Sequence, residues 1–320
     1  MSDTTDDMEA GAALYEAYLE RMEEMAIVRK QEPVKKLALI KKAGVPTGTP
    51  LSLPMSPNIP SEEMGAYSWL IYGTKKIGKT SLAAQFENAI FFQFEPGGKA
   101  LRTYQVPCNR WEDAKGYLKL LKTTKHTFKT IVIDTGFEAY QKCFNFVCED
   151  QNIEYPREEN FGKDWKKIEL EFRSFHNEAS ALGMGLIVLC HESLKESITR
   201  SGSKFDSVVP NLAKAADSYY RAIIDNVCWY HFRNSERFLL IKGSDYAMAG
   251  TAVAADNHFI TTSGEQVHAV PMGKSAKEGY DRLAKAFRNE QKETYEKESQ
   301  QFSEDLIKVS VHKKLRQKKA

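Results

Sequence analysis

Short apolar runs alternate with longer amphipathic stretches along the middle of the chain, and this alternation sets the first expectation. Runs rich in β-branched and aromatic residues at 67–72, 89–94, 130–134, 185–190 and 227–232 predict strands, with a hairpin partner at 237–241 and a further strand at 258–262. Between them, apolar residues recur at helical spacing over 79–87, 111–121, 137–148 and 164–182. Strands that alternate with helices predict an α/β fold, a mainly parallel sheet flanked by helices. Ahead of this region, Leu14, Tyr15, Tyr18, Leu19, Met22 and Met25 make an apolar stripe over residues 8–28, an amphipathic helix that must bury its stripe and is expected to mediate self-association. Residues 45–66, punctuated by Pro46, Pro50, Pro54, Pro57 and Pro60, read as a linker. From Ala276 the pattern is helical and highly charged. The expected plan is a helix and linker over 1–66, a core over 67–275, and a charged helical arm with a basic tail over 276–320.

Composition adds exclusions. With 42% hydrophobic and 28% charged residues, the chain lies far from the composition of a disordered protein. A net charge of +2 provides no global field for a polyanion, so local runs matter more. Residues 1–24 carry eight acids against Arg21, residues 29–42 carry six bases against Glu32, and residues 308–320 carry six bases. The five cysteines form no CxxC pair and no zinc spacing, as in a reduced intracellular protein. No apolar run reaches the length of a membrane span, and the acidic start does not resemble a signal peptide. The expected location is cytoplasm, that of the host if the chain is phage-encoded, with no membrane partner.

The chemistry enters where the first strand ends. Gly73-Thr74-Lys75-Lys76-Ile77-Gly78-Lys79-Thr80-Ser81 follows it, and a helical pattern through Leu82, Ala83 and Phe86 comes next. Strand, glycine-bounded loop and helix in this order form the phosphate loop of nucleoside triphosphatases. Backbone N–H groups wrap the phosphates and the helix N-terminus favours their charge. Lys79 reaches the β- and γ-phosphates, and the Thr80 hydroxyl ligates magnesium. Asp134, closing the strand at 130–134, is expected beside the loop as a second magnesium partner. ATP and Mg2+ are the implied cofactors.

Asp134 is followed by Thr135-Gly136 and not by a second acid, which argues against the AAA+ arrangement, in which a glutamate directly follows the magnesium aspartate. No Asn-Lys-x-Asp segment marks a Ras-type GTPase. An acid occurs instead at Glu95, in Phe91-Phe92-Gln93-Phe94-Glu95-Pro96-Gly97-Gly98, at the carboxyl edge of the second strand where ligands of open sheets bind. Taken alone, Glu95 also reads as a turn cap, and a lone strand-end histidine such as His191 is more often structural.

Together with Ile133-Asp134-Thr135, Phe161-Gly162-Lys163-Asp164-Trp165 and Leu189-Cys190-His191-Glu192, these segments resemble the RecA-like recombinase core. The finer resemblance is to phage-encoded ATPases made of little more than that core, some of which act as single-strand annealing proteins. It spans residues 67–245; the long N-terminal arm departs from it. The resemblance implies that Glu95 activates the attacking water and that His191 senses the γ-phosphate. It implies a DNA-lining role for the stretch 193–205, whose bases are Lys195, Arg200 and Lys204, and a finger acting in trans at Lys242. It further implies single-stranded DNA, a homo-oligomer and single-strand-binding or other recombination proteins as partners. The expected activity is magnesium-dependent ATP hydrolysis in phage recombination, repair or replication. Two alternatives stay open. A P-loop kinase of a small molecule needs an arginine-rich lid, whereas 193–205 holds only Arg200; a nonenzymatic nucleotide-switched adaptor would grip proteins through 1–45 and 276–320. The stretch 193–205 by itself also reads as a surface loop.

Overall fold

The central apolar runs are buried on both faces, as strands of a parallel sheet must be when helices cover each side. In the computed structural model, residues 53, 55–198, 204–256 and 258–290 are described. The helix expected over 8–28, Arg200 and the basic tail lie outside them. The chain divides into two compact units, Met1–Asn58 and Ile59–Ala320, and all elements described belong to the second.

At the centre of the sheet, β1 (Ser68–Gly73) pairs in parallel with β5 (Gly185–Ile198) on one side and β7 (Asn226–Arg233) on the other. Beyond β5 come β4 (Thr130–Asp134), β2 (Ala89–Gln93) and the short edge strand β3 (Tyr104–Pro107), all parallel. Beyond β7 come β8 (Glu236–Leu240) and β10 (Ala269–Pro271), both antiparallel to their neighbours. The order is β10-β8-β7-β1-β5-β4-β2-β3, with β6 (Lys204–Pro210) attached to β5 and β9 (Gly250–Thr251) to β7. The fold is therefore α/β with a mainly parallel sheet, as the alternation predicts.

Side chains alternate across each strand and feed two cores. Leu70, Tyr72, Phe92, Ile133 and Val188 face one way, against Trp111 of α2 (Trp111–Thr123), Tyr140 of α3 (Gly136–Asp150), Phe172 of α4 (Lys163–Ser180) and Tyr220 of α5 (Lys214–Ile223). Trp69, Ile71, Phe91, Val132 and Ile187 face the other, against Leu82 of α1 (Lys79–Ala83) and Leu283 and Phe287 of α6 (Ala276–Phe287). Each fully buried Leu, Ile or Phe side chain contributes about 1.5–3 kcal/mol.

A polar group is built into the first of these cores. His176 is fully buried; its Nδ1–H donates to the Phe172 carbonyl at 2.8 Å, and its Nε2 accepts from the Tyr220 hydroxyl at 2.7 Å. Burial pushes its pKa down from 6.5 to about 4. Between those values the unfolded chain binds a proton that the folded chain refuses. The stabilisation is thus complete above pH 6.5 and is lost as pH falls towards 4, by about 3 kcal/mol in all. Urea midpoints measured across this range are expected to fall with acid in the wild type and to fall less steeply in His176→Gln.

Several expectations change. The helix at Ala276–Phe287 is not the start of an appended arm, since Leu283, Ala284, Ala286 and Phe287 are buried in the second core. Its opposite face carries the i,i+4 pairs Lys277–Asp281 and Arg282–Glu278, and these give the segment its charged composition. The core also begins before residue 67, because buried Met64 accepts the Trp69 indole N–H on its carbonyl at 3.1 Å. Residues 258–262 form no strand: Phe259 has φ 56, which breaks extension, and its ring packs edge-on against Trp69 and Phe287. Helix α1 is shorter than 79–87, while β3 and α5 have no counterpart in the expected elements. The stretch 193–205 is largely a β-ribbon, with β5 running out to Ile198 and β6 returning from Lys204, in register from Glu192–Pro210 to Ile198–Lys204. A ribbon that leaves the main sheet, with exposed positions interleaved among half-buried ones, lacks the apolar run that marks a strand.

Candidate nucleotide site

The site is built where β1 hands over to α1. Gly73 must be glycine, because a Cβ there would lie 1.9 Å from the Tyr230 carbonyl oxygen of the neighbouring strand. Gly78 has φ 110, a left-handed backbone that lets the loop turn into the helix. Between them, Ile77 is buried in the second core and pins the loop, whereas Lys75 and Lys76 are exposed and Thr74 is half-buried. Lys79 is buried at the start of α1, and its ammonium folds back to donate to the carbonyls of Gly73 at 2.8 Å and Thr74 at 2.9 Å. Burial holds its pKa below the usual lysine value, partly offset by Asp134. A buried cation held by loop carbonyls at the mouth of the loop is a ready partner for phosphate oxygens. Ser81 follows in the same turn.

Strand β4 does not touch β1, because β5 is inserted between them. Asp134 nevertheless reaches the loop: the Thr80 hydroxyl donates to its carboxylate at 3.1 Å. Burial raises the Asp134 pKa to about 6, against the Thr80 hydrogen bond, and the nearby Glu95 charge pushes it further up. Glu95 arrives from the next strand out, since Gln93 pairs with Asp134 across β2 and β4 and the Phe94 N–H donates to the Asp134 carbonyl at 2.8 Å. His191 stands opposite Gly73 in the β1–β5 register, with its Nε2 3.5 Å from a Glu95 carboxylate oxygen. Burial first, and then the Lys79 charge, hold the imidazole below its usual pKa, while Glu95 pulls the other way. The buried Nδ1 of His191 has no partner among the described residues. Lys79, Thr80, Asp134, Glu95 and His191 thus converge on the carboxyl edge of four strands.

These residues fit a divalent cation bound with a phosphate ester. Thr80 and Asp134 form a hydroxyl–carboxylate pair, and the Glu95 charge that disfavours ionised Asp134 is relieved by a cation. Among the described residues, no cluster of three His, Cys, Asp or Glu side chains could hold a metal alone. A magnesium ion here would take its remaining ligands from phosphate and water, as such ions usually do.

The other expected residues fall elsewhere. Lys195 lies on the β5–β6 ribbon, and Lys204, at the start of β6, is paired with Glu196 at 2.9 Å. Lys195 lines a cleft of about 520 Å³ with Phe205, Arg221, Asp245 and Met248, between the ribbon and the loop at 243–249. Lys242 is exposed and follows β8, whose last residue Leu240 pairs with Trp229 of β7. One connection has no mark in the sequence. The Tyr72 hydroxyl, on the residue before Gly73, lies 3.0 Å from the Val208 carbonyl and 2.6 Å from the Met248 carbonyl, and so ties the nucleotide strand to both walls of the cleft.

A family model described as AAA domain matches residues 66–266, well over half of the chain. The chain belongs to the AAA domain family. The missing acid after Asp134 therefore does not separate this chain from AAA domains. In this chain β2 lies beside β4, and Glu95 stands at the edge of that neighbouring strand. The match covers the phosphate loop, Glu95, Asp134, His191 and the β5–β6 ribbon, and the protein carries a P-loop NTPase domain. One relative, the SPbeta prophage-derived uncharacterized protein YorG of Bacillus subtilis (strain 168), is 29% identical over 142 residues. That stretch is 42% of this chain and 44% of YorG, so the chain spans less than half of its relative. Among solved structures, a KaiC-like protein of Pyrococcus horikoshii OT3 aligns over 58% of this chain and 83% of its own, at 15% identity and a TM-score of 0.36. No helix among the described residues is long and apolar enough to cross a membrane.

Proposed function

We propose that this protein is a magnesium-dependent ATPase whose turnover is coupled to single-stranded DNA. The observation that carries the reading is the convergence of Lys79, the Thr80–Asp134 pair and Glu95 on one sheet edge. Lys79 neutralises the β- and γ-phosphates, and Thr80 and Asp134 hold the cation. Magnesium, when bound, supplies charge neutralisation for the transferring phosphoryl group. Glu95 accepts the proton of the attacking water, and His191, within 3.5 Å, steers its carboxylate.

The DNA half of the proposal rests on the cleft beside the β5–β6 ribbon. Its Lys195 and Phe205 are a cation and an aromatic ring, the groups that hold a backbone phosphate and a stacked base. Tyr72 connects the cleft to the phosphate loop, so occupancy of one is felt at the other. The prophage origin in YorG's name is consistent with a role in phage DNA metabolism. ATP hydrolysis measured with and without single-stranded DNA tests the reading. Stimulation by DNA, weakened in Lys195→Ala, is the expected result. Turnover indifferent to DNA removes the DNA half; no turnover, or phosphorylation of a small molecule, favours an adaptor or a kinase.

A further inference from the structure

Helices α3 and α4 pack side by side in opposite directions: Tyr140 meets Phe172, Cys143 lies 3.8 Å from the Ile168 carbonyl, and Phe144 meets Trp165. Where the chain passes from one helix to the other, large apolar side chains face out. Tyr155 is 63%, Phe161 86% and Trp165 42% exposed. The rings of Phe144, Tyr155 and Trp165 already touch one another, with centroids 5.6–5.8 Å apart, so the patch is ordered.

Phe161 itself sits at φ 49 and ψ 42, a left-handed backbone that is costly for a bulky residue. The loop is clamped in this state by Asp164, whose buried carboxylate accepts from the Arg157 backbone N–H at 3.1 Å, the Arg157 Nε at 3.2 Å and the Asn160 amide at 2.9 Å. A buried charge and a strained residue are thus spent on holding an aromatic ring in solvent, where it stabilises nothing within the fold. Strain of this kind collects where a surface has a task.

Charge decides the occupant. Exposed Glu154, Glu158 and Glu159 line the loop, while exposed Lys163, Lys166 and Lys167 lie in the first turns of α4. A polyanion would meet the glutamates, but a two-fold partner would set its lysines against them and its glutamates against these lysines. Tyr, Trp and Arg at the centre of such a patch are the residue types that dominate protein interfaces. We propose that this tip is a self-association surface, closing on the same tip of a second copy of the chain. The proposal does not depend on the nucleotide site or on DNA.

Sedimentation of the full chain over a concentration series tests it. The wild type is expected to dimerise, and Phe161→Gly to weaken the dimer at least tenfold. At concentrations where both are monomers, Phe161→Gly is expected to melt higher than wild type, because glycine adopts the left-handed backbone freely. Glu158→Lys with Glu159→Lys should also weaken the dimer, and adding Lys163→Glu and Lys166→Glu should restore it. A wild type that stays monomeric overturns the proposal, whether or not the tip then binds DNA. So does a Phe161→Gly dimer as tight as wild type.

Discussion

Glu95→Gln is expected to slow single-turnover ATP hydrolysis by about two to four orders of magnitude, the cost of removing a general base. Nucleotide affinity should stay close to wild type. The amide keeps the size of the side chain and its reach to His191, 3.5 Å away, but it cannot accept a proton. The residue is well placed for this role: it stands at the edge of β2, beside Asp134, close enough for its charge to raise the Asp134 pKa. A glutamate that merely caps the turn before Pro96 would give a variant with turnover within a few-fold of wild type, and that result would take Glu95 out of the chemistry. Measuring affinity and hydrolysis on the same preparation separates loss of binding from loss of catalysis.

Lys79→Ala is expected to weaken ATP binding by roughly two to four orders of magnitude, since truncating one partner of a buried charge pair costs about 3–5 kcal/mol. The same variant should remain folded. The ammonium donates to the carbonyls of Gly73 and Thr74, and burial lowers its pKa more than the Asp134 charge raises it, so within the fold its charge costs more than it returns. Titration calorimetry with a thermal melt on the same sample checks both halves. Wild-type affinity in a folded Lys79→Ala would remove the phosphate-binding role of the loop.

Much of this was legible along the chain, for an identifiable reason. A strand buried on both faces announces itself as an unbroken apolar run, and the phosphate loop is a contiguous device in which one segment supplies the turn, the cation and the hydroxyl. Gly73, Lys79 and Thr80 could therefore be put forward as candidates from their neighbours alone, and the α/β class followed from the alternation of runs. Periodicity reports how a segment is buried, not what lies beside it. The insertion of β5 between β1 and β4, which brings His191 opposite Gly73 while leaving Asp134 within reach of Thr80, is a matter of strand order. So is the arrival of Glu95 beside Asp134 from the next strand out.

Where polar and apolar signals were mixed, local reading fell short. The β5–β6 ribbon interleaves exposed with half-buried positions, and such a segment reads as a loop. The helix Ala276–Phe287 pairs its charges on one face and buries Leu283 and Phe287 with the other, and its charge content hid the buried stripe. Sequence by itself marked the segment expected to hold a phosphate, because that signal is local. Tertiary structure alone decided which distant carboxylate and imidazole stand over it, how Tyr72 ties it to the cleft and why Phe161 is held out in solvent, because each depends on contacts between residues far apart in the chain.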